Sequence, residues 1–89
     1  MTTLAAALHV HMNSSYHLTP AMESFVGKPI ATRREVLDAI TTFAAECGLY
    51  TDTYTIRPNL LLAMLLSSPR PIHIKDLNAR IARHMTSLT

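Results

Sequence analysis

One stretch, Thr32 to Gly48 (TRREVLDAITTFAAECG), limits what this chain can fold into more than any other. Thr32 can accept a hydrogen bond from the first helical turn. Glu35, three residues on, can reach back to the Thr32 amide. Gly48 suits the left-handed position just past a helix end. No Pro or Gly interrupts the roughly four turns between them. The spacing predicts a helix with its own start and its own stop.

The apolar residues of this helix form two stripes. Val36, Ile40, Phe43 and Cys47 follow the 4-3-4 spacing of one buried face. Leu37, Ala44 and, at the edge, Ala45 make a neighbouring stripe with Thr41 in its middle. Arg33, Arg34, Asp38, Thr42 and Glu46 cover the remainder. A surface helix needs one stripe. Two stripes fit either a central helix packed on both sides or the wall of a groove, with one side in the core and one open to a partner. Cys47, the single cysteine, has no internal disulfide partner and reads as an inert thiol on the buried stripe.

A chain of 89 residues makes one domain. A domain this small hides only about three-fifths of its unfolded surface, so every buried side chain matters. Hydrophobic residues at 48% against charged ones at 16% argue for a folded protein and against disorder. The longest apolar run, Leu60 to Leu66, is far short of a membrane span. The first 27 residues hold no Lys or Arg, so the charged start of a secretory signal is missing and a mitochondrial presequence is weakened. The expected compartment is intracellular, with nucleus and mitochondrion both open.

Residues 1–17 read as an extension and 18–89 as the domain. LAAAL supports a helical turn and LHVHM an alternating strand; the sequence does not choose. His9 and His11 would share one side of such a strand, but two imidazoles do not make a metal site. Thr19-Pro20 opens a short helix with Met22, Phe25 and Val26 on its apolar side and Gly27 at its end. Ala31 and Val36 can close a hydrophobic staple on the main helix. LYTDTYTI reads as a strand or hairpin arm. Asn59 caps LLLAMLL, which is apolar on every side and therefore expected to be buried. Ser67 to Pro71 is a turn. Ile72 and Ile74 flank His73 in a short strand, and a last helix from about His73 to Met85 puts Ile74, Leu77, Ile81 and Met85 on one face. No internal repeat is visible.

Four blocks in this order resemble the SWIB family, relatives of the tumour-suppressor-binding domain of the Mdm oncoproteins. LTPAMESFVGK is similar to the family's L-S-P-x-L-x-x-F-L-G, and TRREVLDAITTFAAECGLY to S-R-T-E-V-x-x-x-I-W-x-Y-I-x-x-x-x-L. IRPNLLLAMLL resembles I-x-x-D-x-x-L-x-x-L-F, and DLNARIARHM resembles E-L-x-K-L-L-x-x-H-L. The blocks span Leu18 to Met85, roughly three-quarters of the chain. Thr41 stands where the family has a large aromatic, Phe43 where it has Tyr, Leu66 where it has Phe and Lys75 where an aromatic is common. Asn59 replaces Asp and keeps the capping role. Ser67 to Pro71 replaces a glycine-bearing turn.

The resemblance implies a mainly helical α+β domain with small β-pieces around a hydrophobic cleft that receives a partner's amphipathic helix. Carried over by position, Leu37, Thr41, Ala44, Ala45 and Tyr50 form one wall and Ile74, Leu77 and Ile81 the other. It also implies membership of a nucleic-acid-handling assembly such as a SWI/SNF-type chromatin-remodelling complex.

Enzymatic function has no support, because no nucleophile motif, tuned acid–base pair or phosphate-cradling loop occurs. No cofactor, metal, membrane or small-molecule substrate is expected. The leading expectation is a protein–protein interaction module. The alternative is a structural subunit of an organellar (mitochondrial) ribosome or other ribonucleoprotein. Net charge is only +2, but Arg70, Lys75, Arg80 and Arg83 face only Asp76 in the last twenty residues. With Lys28 they would touch RNA or DNA phosphates.

Overall fold

The chain runs through two successive β-α-β-α-β passes around one core. The structure is a computed structural model and describes residues 14–88. The readings of LAAAL, LHVHM and the His9–His11 pair fall outside the described residues. The first pass is β1 (Ser15–Leu18), α1 (Pro20–Val26), β2 (Ile30–Thr32), α2 (Arg33–Glu46) and β3 (Tyr50–Asp52). The second begins with β4 (Thr55–Ile56), α3 (Leu60–Leu66) and β5 (Ile72–His73). A segmented helix follows: a 3-10 turn at Ile74–Asp76, α4 (Leu77–Ile81) and a 3-10 turn at Ala82–His84. β6 (Met85–Ser87) closes the pass. The fold is α+β, with four α-helices and two small antiparallel sheets among the described residues.

The two passes exchange strands. One sheet has the order β2-β1-β6 and the other β3-β4-β5, so the last strand of each pass joins the sheet of the other. In the first, Tyr16 opposes Ala31 on one side and Ser87 on the other. In the second, Ile56 opposes Tyr50 and Ile72. Neither pass completes its sheet alone, which ties both into one unit. β1 starts at Ser15, so the expected boundary at residue 18 cuts through a central strand; residues 15–17 belong to the domain.

Local signals fix the helix starts as the sequence predicts. Thr32 Oγ1 accepts from the Glu35 amide at 3.1 Å, and Glu35 Oε1 accepts from the Thr32 amide at 3.0 Å. Thr19 and Asn59, forty residues apart, each cap a seven-residue helix. Gly48 adopts a left-handed φ of +65° after α2. LYTDTYTI folds as a hairpin, with β3 and β4 joined by a tight turn.

α2 buries Val36, Ile40 and Ala44 completely, with Phe43 and Leu37 half-buried on either side. These meet Met22, Leu62, Leu66 and Ile81, all fully buried, in one cluster. Ala31 and Val36, the expected staple pair, belong to the same cluster. Cys47 is exposed rather than buried. It falls on the buried arc by spacing, but it is the cap residue where the chain leaves the helix. The last helix is also shorter than expected. Met85 is already strand, paired opposite Leu18, because β1 needs a second neighbour.

His84 is 6% exposed and joins three elements. Its Nε2 lies 2.6 Å from the Leu65 carbonyl oxygen and its Nδ1 2.6 Å from Thr19 Oγ1. The carbonyl can only accept, so Nε2 carries the proton it donates. Arg33 also joins separate elements. Its Nη1 donates to Asn78 Oδ1 at 2.8 Å, and its guanidinium lies 5.3 Å from the centre of the Tyr16 ring.

Candidate partner-docking groove

α2 presents three arcs: a buried one, the Leu37–Thr41–Ala45 flank, and the opposite flank carrying Ala39, Thr42 and Glu46. The expected cleft lies on the Leu37 side. There Ala44, Leu77 and Ile81 are 0%, 1% and 0% exposed, so these three are core rather than cleft wall, which corrects the expectation for them. These three belong to the protein's own hydrophobic core. Leu37, Tyr50 and Ile74 are half-buried and packed on the same core. Thr41 is half-buried, and its hydroxyl donates back to the Leu37 carbonyl at 3.0 Å. Ala45 is exposed. Six of the eight positions therefore gather on one core, and Thr41 and Ala45 do not join it.

The open recess is on the other flank. It has a volume of about 760 Å³ and runs between α1 and α2. Small side chains, Ala21 and Ser24 of α1 with Ala39 and Thr42 of α2, line it. Phe25 and Phe43, in edge-to-face contact at 5.3 Å between ring centres, make its apolar body. A second recess of about 380 Å³ shares Ala21, Ser24 and Leu61 with the first. Met64 and Leu65 line it further, and Arg83 and His84 stand at its end. The two recesses adjoin at their shared residues as one groove.

α3 supplies what is unusual here. Its inner face, Leu62, Leu65 and Leu66, is buried, but Leu60, Leu61 and Met64 are 78%, 51% and 71% exposed. LLLAMLL was expected to be buried all round. A seven-residue helix touching the core on one side can hide only that side, and the residues facing it across the groove are small. Ala21 and Ser24 sit where α3 has Leu61 and Met64, so one pass cannot cover the side chains of the other.

The rim is charged unevenly. Lys28 and Glu35 form an exposed ion pair at one end. Asp38 and Glu46 stand on the α2 rim with no ion pair among the described residues. Arg83 marks the far end, its Nε 3.4 Å from His84 Nε2.

The five basic candidates sit on several different elements and turns. Lys28 lies in the first recess and Arg83 in the second. Arg80 reaches the Ser67 carbonyl at 3.5 Å, beside the turn that carries exposed Arg70. Lys75, also exposed, follows β5. Among the described residues no three His, Cys, Asp or Glu side chains converge as metal ligands. No helix there is long and apolar enough to cross a membrane.

Ala39, Thr42, Leu61 and Met64 were absent from the sequence-based site. The legible signal was α3 itself: an all-apolar helix of two turns must leave part of its surface outside. Compared with known proteins, the chain matches no family model and no curated relative.

Proposed function

We propose that this chain is a non-catalytic protein–protein interaction module whose docking surface is the groove between α1, α2 and α3. The observation that carries the reading is the outward face of α3, where Leu60, Leu61 and Met64 are exposed and Leu61 and Met64 line an apolar recess. Covering what Leu61 and Met64 leave in water is worth about 2–3 kcal/mol. Association alone costs at least about 4 kcal/mol, so a partner must also fill the recess around Phe25 and Phe43. The motif order of the SWIB resemblance supports a partner within a larger nucleic-acid-handling assembly. The docking face proposed is the opposite flank of α2 from the one that resemblance implies.

The test is affinity purification of the full chain from its source, beside Leu61→Glu/Met64→Glu and Tyr50→Ala variants shown by circular dichroism to be folded. Proteins retained by the wild type and by Tyr50→Ala, but lost from the double variant, support the reading. An identical set from all three overturns it. Components released by ribonuclease regardless of variant would favour an RNA-bound subunit instead.

A further inference from the structure

We infer that the occupant of this groove is an amphipathic helix of a partner protein, basic along the flank that lies over α2. The inference rests on the docking reading above and adds the chemistry of the partner. The groove is elongated: Glu35 to Glu46 spans about 16 Å of α2, the length of about three turns of a second helix. Four of its lining residues are small, Ala21, Ser24, Ala39 and Thr42, so a helix can approach α1 and α2 closely and place side chains at i, i+3/i+4 and i+7 between them. The apolar anchors are Phe25 with Phe43 in the first recess and Leu61 with Met64 in the second.

Charge sets the direction. Lys28 pairs with Glu35, which leaves Asp38 and Glu46 as the acidic side chains lining the groove without an ion pair among the described residues. Arg34, one turn before Asp38, lies outside the lining. Asp38 and Glu46 lie eight residues apart on the helix, about 12 Å, the spacing of two turns. A partner helix with Lys or Arg seven or eight residues apart meets both. Arg83 at the opposite end disfavours a basic residue there and suits an acidic one. A second copy of the chain is the weaker occupant, because it would bring its own Asp38 and Glu46 rim.

The probes are two designed helical peptides with one shared leucine stripe, one carrying Lys and the other Glu along the same flank. Binding to the full-length protein is measured by fluorescence anisotropy at low salt, and the site is mapped by amide shift changes. The expected result is at least tenfold tighter binding of the Lys peptide, with shifts at Phe43, Leu61 and Met64. Asp38→Lys/Glu46→Lys should reverse the preference. Equal binding of both peptides at the groove overturns the basic-helix inference and leaves the docking surface standing. Binding of neither peptide, with no groove shifts, overturns both. So does a protein that sediments as a dimer through Leu61 and Met64, since that dimer would be the occupant.

Discussion

Gly27 and Ser67 hold the same place in the two passes of the chain: each follows a seven-residue helix and adopts the left-handed conformation. Gly27 has φ +96° and Ser67 φ +53°, and Ser67 is the single non-glycine residue with positive φ among the described residues. A Cβ in that region costs about 1–2 kcal/mol, partly offset by the greater freedom of glycine in the unfolded chain. Ser67→Gly should therefore raise stability by about 0.5–1 kcal/mol. Gly27→Ala should lower it by about 1–2 kcal/mol on conformational grounds alone, because an added Cβ meets nothing within 4 Å. Urea midpoints decide both, and a destabilised Ser67→Gly would count against the assignment.

Ala44 separates a closed seam from an open cleft. It is fully buried, so Ala44→Leu forces extra volume into a packed core and should cost about 1–3 kcal/mol. Ala45→Leu, one residue on and exposed, should stay within about 0.5 kcal/mol. A tolerated Ala44→Leu would mean that the Leu37 flank is open after all.

The Thr19–His84 contact couples the cap of α1 to the end of the segmented helix. Thr19→Ala removes a cap and should cost about 0.5–2 kcal/mol. His84→Ala leaves the buried Leu65 carbonyl without its donor, for about 1–3 kcal/mol. Because the two share one 2.6 Å contact, the double variant should fall short of the sum by at least about 0.5 kcal/mol. Strict additivity in thermal unfolding would show that the contact does not form.

Asp52 gives a small pH signature. The Tyr54 amide donates to its Oδ1 at 2.8 Å, and this bond, aided by the Thr55 side chain and amide, holds the carboxyl below its ordinary range. A lowered folded value means stability that is present above the unfolded pKa and lost as pH falls through the folded one. Asp52→Asn keeps an acceptor oxygen but no charge. The wild type should be the more stable at neutral pH and equal to the variant near about pH 2. A gap that persists in acid would assign it to turn geometry rather than to charge.

Much of the local structure was written in short signals. Thr32 with Glu35, Thr19 with Pro20, and Asn59 all set helix starts by hydrogen bonds that reach three residues or fewer. Such bonds need no tertiary partner to be legible. The repeated order of elements was invisible because its two copies share almost no residues. Thr19 matches Asn59 and Gly27 matches Ser67 by role alone. The flank of α2 was misjudged for a similar reason. Spacing shows that Val36, Ile40 and Ala44 share an arc with Phe43 and Leu37 on its edges. It does not show which edge the rest of the chain covers.

By itself, then, the sequence determined where the first three helices begin and end, that α2 is apolar over more than one stripe, and that the chain is α+β. Those features depend on neighbours a turn or two away. Only the tertiary structure decided that Leu77 and Ile81 close the Leu37 side and that Leu61 and Met64 remain in water. That outcome depends on strand exchange between the passes. β6 reaches back to β1, pulls the segmented helix across one flank of α2, and leaves the small residues of α1 facing the large ones of α3 on the other.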